Sequence, residues 1–298
     1  MTSITGQTPA YCGYPVTVTW TVTNFGHAVW AGTRYWKDDV YLSRYPTLDT
    51  DRDVRLGYAT HSNETPLGAL ESYTATATFR LPDGIGGTEA NPQTFYLFVV
   101  TSPMGATSTN LGHNDMSLDL FAQAAYEDPS NNQASIPQPV IYREPDLQVS
   151  NVIVPATPSY SGTTIPVTWT VTNIGTRDTR ESAWFDRVYL SRSPSLDSTS
   201  MMLKESKHLS PLAQGASYDT TVAVRLPDGI HGDYYLLVFT DSNLVGQIGS
   251  PNIGLEQYID YAQSRVAEYQ GEGNNIAAVQ LPILLANQPD LQDRKSVV

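Results

Sequence analysis

The sequence has one cysteine, Cys12, so no disulfide can form within the chain. No apolar run reaches the roughly 20 residues that a membrane-spanning helix needs, which excludes membrane insertion by a helix. Basic residues are few: 17 Lys and Arg stand against 30 Asp and Glu, a net charge of −13. Without a basic stripe to neutralise phosphates, nucleic acid and anionic membrane are poor partners. The acidic surplus favours solubility and permits calcium binding. The chain also lacks Gly-X-Ser-X-Gly, His-Glu-X-X-His and any phosphate-cradling glycine loop. His27, His61, His113, His208 and His231 share no metal-ligand spacing and do not recur between the repeats described next. Met1-Thr2-Ser3 has neither the basic start nor the apolar stretch of a signal peptide, so the chain reads as a piece excised from something larger.

What is present is a repeat. Trp20-Thr21-Val22-Thr23-Asn24-Phe25-Gly26 returns as Trp169-Thr170-Val171-Thr172-Asn173-Ile174-Gly175. Val40-Tyr41-Leu42-Ser43-Arg44 returns as Val188-Tyr189-Leu190-Ser191-Arg192, and Arg80-Leu81-Pro82-Asp83-Gly84 as Arg225-Leu226-Pro227-Asp228-Gly229. Asn131-Asn132 matches Asn274-Asn275, and Pro145-Asp146-Leu147-Gln148 reappears at Pro289-Asp290-Leu291-Gln292, a period of 289 minus 145, or 144 residues. The organisation expected is one repeat over 1–143, truncated at its start, a second over 144–288, and the start of a third over 289–298. The first repeat enters about where Ile153 lies in the second.

Charged residues make up only 16%, and Thr, Ser, Asn, Tyr and Gly take their place, a composition that leans to β. Val16, Val18, Trp20 and Val22 alternate with threonines, the period of a half-buried strand, and Val167, Trp169 and Val171 repeat the pattern. Seven or eight such strands per repeat, separated by turn signals, predict a two-sheet sandwich with Trp20 and Trp169 as core anchors. Phe95 to Val100 and Tyr234 to Phe239 are unbroken apolar runs, which predicts strands covered on both faces. After each run comes a segment with helical spacing: Leu118, Phe121, Ala122 and Ala125 in the first repeat, and Leu255, Tyr258, Ile259, Ala262 and Val266 in the second. The fold class expected is mainly all-β: two tandem immunoglobulin-like β-sandwiches, each with a short inserted helical segment.

These motifs resemble the CARDB family, the "cell adhesion related domain found in bacteria". The resemblance lies in Pro145-Asp146-Leu147, in the strand from Val167 to Gly175, in the Gly-X-Tyr-Tyr-Leu-Leu-Val strand at Gly232 to Val238, and in Glu272-Gly273-Asn274-Asn275. The Leu-Ser-Arg-X-Pro-X-Leu-Asp stretches at Leu42 to Asp49 and Leu190 to Asp197 look like a subgroup found in large bacterial surface proteins. The resemblance implies an immunoglobulin-like fold and extracellular or surface display in long bacterial multi-repeat chains. It carries no catalytic residues. The long segments before Asn132 and Asn275 depart from the family pattern.

Several residues are candidate sites. Asp49, Asp51 and Asp53 alternate carboxylates at a spacing that calcium uses, or form a solvated turn. Trp30, Tyr35 and Trp36, near Tyr45, form a candidate platform for sugar rings, or pack across strands. Asp38 and Asp186 precede the Val-Tyr-Leu-Ser strands, and Asp39 makes a pair in the first repeat. Adjacent strand residues point to opposite faces, so a structural role is expected there rather than acid–base work. Glu268, Glu272, Asn274 and Asn275, with Glu127, Asp128, Asn131 and Asn132, cap turns or hold a cation. Cys12 has no activating partner in sequence.

The functional expectation is a non-catalytic extracellular structural or adhesion repeat of a large bacterial surface or secreted protein, with no cofactor beyond the calcium option. Its partners are the neighbouring repeats and a cell-surface glycan or protein. The alternative is a carbohydrate- or protein-binding sandwich module, calcium-assisted.

Overall fold

The computed structural model describes residues 1–102, 131–242, 266–271 and 273–287. The chain divides into two compact units, Met1–Arg143 and Glu144–Val298. The first contains β1 (Ser3–Gly6), β2 (Ala10–Tyr11), β3 (Pro15–Thr23), β4 (Tyr35–Ser43), β5 (Val54–Ser62), β6 (Ser72–Arg80), β7 (Gln93–Thr101) and β8 (Gln133–Ile141). The second contains β9 (Leu147–Ile153), β10 (Ser159–Tyr160), β11 (Thr164–Asn173), β12 (Trp184–Ser191), β13 (Met201–His208), β14 (Ser217–Arg225), β15 (Gly232–Phe239) and β16 (Ile276–Leu284).

The two units share one topology, strand for strand. In the first, β1-β3-β6 form a three-stranded sheet and β2-β8-β7-β4-β5 a five-stranded one. In the second, the orders are β9-β11-β14 and β10-β16-β15-β12-β13. The alternation read from the sequence explains the sheets. Val16, Val18, Trp20 and Val22 of β3 point inward, and Trp20 packs with Val40, Leu42, Leu97 and Val99 of the other sheet. Trp169 does the same with Val188, Leu190, Leu236 and Val238. Both indoles are fully buried.

The outward threonines pair across strands. Thr17 meets Thr78 at 3.1 Å, Thr19 meets Thr76 at 2.9 Å, and Thr21 meets Thr74 at 3.0 Å. Each such pair contributes about 0.2–1 kcal/mol and fixes register. The apolar runs are covered on both faces: Leu97 and Val99 enter the core, while Phe98, pointing the other way, is also buried. Leu236 and Val238 bracket the buried Leu237 in the same manner.

One expectation falls largely outside the described residues and another needs correction. No helix occurs among the described residues. Leu118, Phe121, Ala122, Ala125, Leu255, Tyr258, Ile259 and Ala262 lie outside them. Val266, the last residue of the supposed helical pattern, is described, and it fills the second core from irregular chain. The first repeat also starts earlier than expected. The Met1 amine donates to Asn131 O as Val149 N donates to Asn274 O, so Met1 stands in the place of Val149 rather than Ile153. The sequence hid this because β9 shifts register between Thr168 and Thr170, with Asn151 at a φ of 50°. Residues 289–298, read as a third repeat, lie outside the described residues.

Candidate functional site

The most elaborate polar arrangement in each unit is a buried carboxylate. Asp38 of β4 lies between the two sheets. Its carboxylate accepts from Trp20 Nε1 of β3 at 2.7 Å, from the Tyr73 hydroxyl of β6 at 2.9 Å, and from the Thr101 hydroxyl at the end of β7. Trp36 Nε1 donates to the Tyr73 oxygen at 2.9 Å, which turns the phenolic hydrogen toward Asp38. His61 of β5 stacks on Tyr73 with ring centroids 3.7 Å apart.

The second unit repeats every partner. Asp186 accepts from Trp169 Nε1 at 2.9 Å, Tyr218 at 2.9 Å and Thr240 at 2.6 Å. Trp184 donates to Tyr218 at 3.0 Å, and His208 stacks on Tyr218 at 4.0 Å. Burial raises the pKa of both carboxyls, and the hydrogen bonds from Thr, Trp and Tyr oppose that rise. Burial also raises both tyrosines, with the facing carboxylate adding to it, and lowers both histidines. Indole N–H groups can only donate, so the carboxylate is the common acceptor that ties the two sheets together.

Sequence reasoning gave Asp38 and Asp186 a structural role but missed their partners. It also separated His61 from His208, which occupy the same register: Trp36 faces His61 and Trp184 faces His208. The cause is one residue. His61 follows Ser43 by 61 minus 43, or 18 positions, and His208 follows Ser191 by 208 minus 191, or 17. Asp39 points away from Asp38 and pairs with Arg55 at 2.7 Å, so the two aspartates share no cleft.

The Asp49-Asp51-Asp53 turn is closed by its own groups. Asp53 accepts from Asp49 N at 2.8 Å and from Arg52 Nε at 2.9 Å, and Asp49 accepts from Asp51 N at 3.1 Å. Arg52 and the backbone bonds hold the Asp53 carboxyl below its ordinary range. In the second unit Ser200 Oγ takes the place of Asp53, accepting from Asp197 N at 3.0 Å. A hydroxyl does the same work, so the carboxylate here is a turn acceptor. Among the described residues no three His, Cys, Asp or Glu side chains are placed to hold a metal ion. Beside this turn lies an open cleft of about 610 Å³ lined by Tyr41, Leu48, Asp49, Arg52, Asn132 and Gln133, among others.

Trp30, Tyr35 and Trp36 do not form one platform. Trp30 is 60% exposed on the loop after β3, whereas Trp36 is 3% exposed, packed with Leu67 and Tyr73, and Tyr35 is half-buried. The strand alternation that exposes one neighbour buries the next. Glu268 accepts from Leu147 N at 3.0 Å, and Asn274 donates to Asp146 at 2.8 Å, so this cluster fastens the start of β9. Glu272, Glu127 and Asp128 lie outside the described residues. Cys12 is buried against the Arg143 backbone, accepting from its N–H at 3.1 Å.

The start of β9, the strand β11 with its Asn173 loop, the end of β12 and the strand β15 carry elements quoted for the resemblance above. Residues 144–245 match the CARDB family model. A CARDB domain of Pyrococcus furiosus, crystallised in complex with di-metal ions, is 16% identical; the match covers 49% of this chain and 98% of that one, with a TM-score of 0.32. A solution NMR structure of a CARDB domain from the same organism is 19% identical over 48% of this chain and 99% of that one, with a TM-score of 0.31. β-Glucosidase 3B of Thermotoga neapolitana, in complex with α-D-glucose, is 18% identical over 32% of this chain and 14% of its own, with a TM-score of 0.24. No curated protein matches the chain.

Proposed function

We propose that the chain is a non-catalytic, extracellular structural or adhesion segment of a large bacterial surface or secreted protein. In this reading its two immunoglobulin-like units, 1–143 and 144–288, are both CARDB-type repeats. The observation that carries it is how the repeated polar residues are used. Asp38 and Asp186, Trp20 and Trp169, Tyr73 and Tyr218, and Thr101 and Thr240 bond to one another inside the sandwich. Chemistry on a substrate needs polar groups that converge on a cleft. What recurs here stabilises a fold, as a spacer requires. The CARDB likeness of residues 144–245 supports the reading of surface display in bacteria.

One observation favours a second reading, a carbohydrate- or protein-binding module: exposed Trp30 on a loop of the first unit offers an apolar face with a polar rim. An array of glycans and matrix proteins separates the two. Silence of the whole chain supports the spacer. Binding that Trp30→Ala removes would replace it with recognition. Calcium assistance is tested by titration calorimetry at millimolar calcium. Absence of both heat and a rise in melting temperature removes it.

A further inference from the structure

The hexapeptide Arg-Leu-Pro-Asp-Gly-Ile stands in the chain twice, at 80–85 and at 225–230. Each copy begins on the last residue of a strand, β6 or β14. Up to the proline the two are held alike. Gly13 N donates to the Pro82 carbonyl and Gly162 N to the Pro227 carbonyl, both at 3.0 Å. Leu81 N donates to the Tyr14 carbonyl and Leu226 N to the Thr163 carbonyl. In both, the glycine after the aspartate has a positive φ, 72° at Gly84 and 74° at Gly229.

Past the proline the surroundings part. In the first unit Arg80 is pinned twice: its Nε donates to the Gly13 carbonyl at 3.0 Å, and its Nη2 donates to the two Asp83 oxygens at 2.8 and 3.0 Å. The Asp83 side chain is 24% exposed. The chain is then fastened to the end of β8, with Gly87 N donating to the Val140 carbonyl at 3.0 Å and Tyr142 N to the Gly87 carbonyl at 2.6 Å. In the second unit Arg225 Nη2 reaches Asp228 at 3.0 Å, but the aspartate side chain is 78% exposed and the arginine 65%. An ion pair so open to water holds little. The chain enters β15 at Gly232, and among the described residues the Gly229 N–H has no hydrogen-bond partner.

Aspartate followed by glycine can react with its own backbone. The glycine nitrogen, with no β-carbon beside it to crowd the approach, attacks the aspartate Cγ. An N–Cγ bond forms and the N–H bond breaks. One carboxyl oxygen leaves as water, carrying that proton and the proton already on the carboxyl. The product is a five-membered succinimide. Water then opens the ring. Addition at Cγ restores aspartate, whereas addition at the main-chain carbonyl leaves isoaspartate, with the backbone running through the former side chain. The reaction takes nothing but water, and it favours an unbonded glycine amide and a carboxyl that is not clamped.

We propose that Asp228-Gly229 is a self-modification site that isomerises to isoaspartate in the folded chain, and that the folded surroundings of Asp83-Gly84 protect it. The local sequence is the same in both, so the difference lies in structure. Isomerisation adds one carbon to the main chain of the turn between β14 and β15. The inference stands apart from the functional reading above.

The test keeps the whole chain in warm neutral buffer made with heavy-oxygen water, sampled over weeks. Digestion with a protease that cuts before aspartate but not before isoaspartate, followed by mass spectrometry, reads both sites in one sample. Isoaspartate and heavy oxygen should build up at position 228 several times faster than at position 83. In urea, where the two hexapeptides are equivalent, the rates should converge. Arg80→Ala should raise the rate at position 83 toward that at 228. Asp228→Glu keeps the charge but would have to close a six-membered ring, so the signal at 228 should vanish while circular dichroism and melting temperature stay the same. No isoaspartate at 228 in the folded chain, when the unfolded chain forms it, overturns the site. Equal rates at the two positions in the folded chain overturn the protection.

Discussion

One residue beyond the caged aspartate, the first unit carries Asp39 and the second Arg187. Asp39 pairs with Arg55 at 2.7 Å, and Arg187 with Glu205 at 2.8 Å, so the polarity of this outer pair is reversed. The cage one residue back keeps every partner: the tryptophan, the tyrosine, the threonine and the stacked histidine. Complementary charges are available in either order, and the buried Arg187 also donates to Ser242 O and Oγ at 3.0 Å. The carboxylate inside has three donors fixed on three other strands or strand ends, so no single partner can change alone.

This contrast predicts a hierarchy of losses. Trp20→Ala and Trp169→Ala each remove a fully buried indole and a donor to the cage, at a cost of about 3–5 kcal/mol. Asp38→Ala and Asp186→Ala leave an indole, a phenol and a threonine hydroxyl without their acceptor, at about 2–4 kcal/mol. Asp39→Ala gives up a pair whose arginine side chain is 44% exposed, and costs about 1 kcal/mol or less. Urea unfolding, with each unit followed as its own transition, checks the order. An Asp39→Ala loss as large as that of Asp38→Ala would break the distinction between inner and outer positions.

The two anchors and the period-two strands were legible because they are local: alternation needs no knowledge of what lies opposite. For Asp38 and Asp186 the sequence supported a structural role, not the face they take. The rest of the cage was not legible. Tyr73 and Thr101 reach Asp38 across 35 and 63 positions of sequence, and nothing in a strand's own pattern states which residue faces it. His61 and His208 were separated by a turn one residue longer in the first unit. Met1 was misplaced by the irregular register of β9. In each case the error entered where a turn or bulge changes the count while the fold stays the same.

The turns sharpen the comparison at lower energy. Asp53→Ala in the first unit and Ser200→Ala in the second each remove the acceptor for the aspartate N–H four or three residues back, so each costs about 1 kcal/mol. A calcium role for the first turn alone would show as a loss for Asp53→Ala that calcium changes. Leu70 sits at a φ of 63° and is 73% exposed, where the second unit has Gly215 at 74° with open space around its Cβ position. Left-handed backbone favours glycine. Gly215→Leu therefore costs about 1 kcal/mol, and Leu70→Gly gains about 0.5 kcal/mol after the added freedom of the unfolded chain. Melting temperatures of the two variants should move in opposite directions.

The smallest effects are those of pH, and here the two kinds of caged group act in opposite senses. A carboxyl raised by burial binds its proton more readily in the folded chain. Its contribution to stability is full below the ordinary value of 3.8 and declines as pH rises through the folded value. A histidine lowered by burial binds its proton less readily when folded. Its contribution is full above 6.5 and is lost as pH falls through the folded value. His61 faces Trp36 and Tyr73, with Asp38 beyond the phenol, and His208 faces Trp184 and Tyr218, with Asp186 beyond. Phenylalanine keeps the stack without the proton, so His61→Phe and His208→Phe should lose less stability than the parent chain between about pH 7 and about pH 5. Asp186→Asn should flatten the pH dependence in the lower window instead. The stacks match in ring partners and nearly in spacing, but His208 Nε2 also bonds the Ser210 hydroxyl at 3.1 Å, and Ser210 opposes the lowering by burial, so His208→Phe should give the smaller difference. A response confined to one unit would mean that groups outside the cage, not the shared geometry, set the titration.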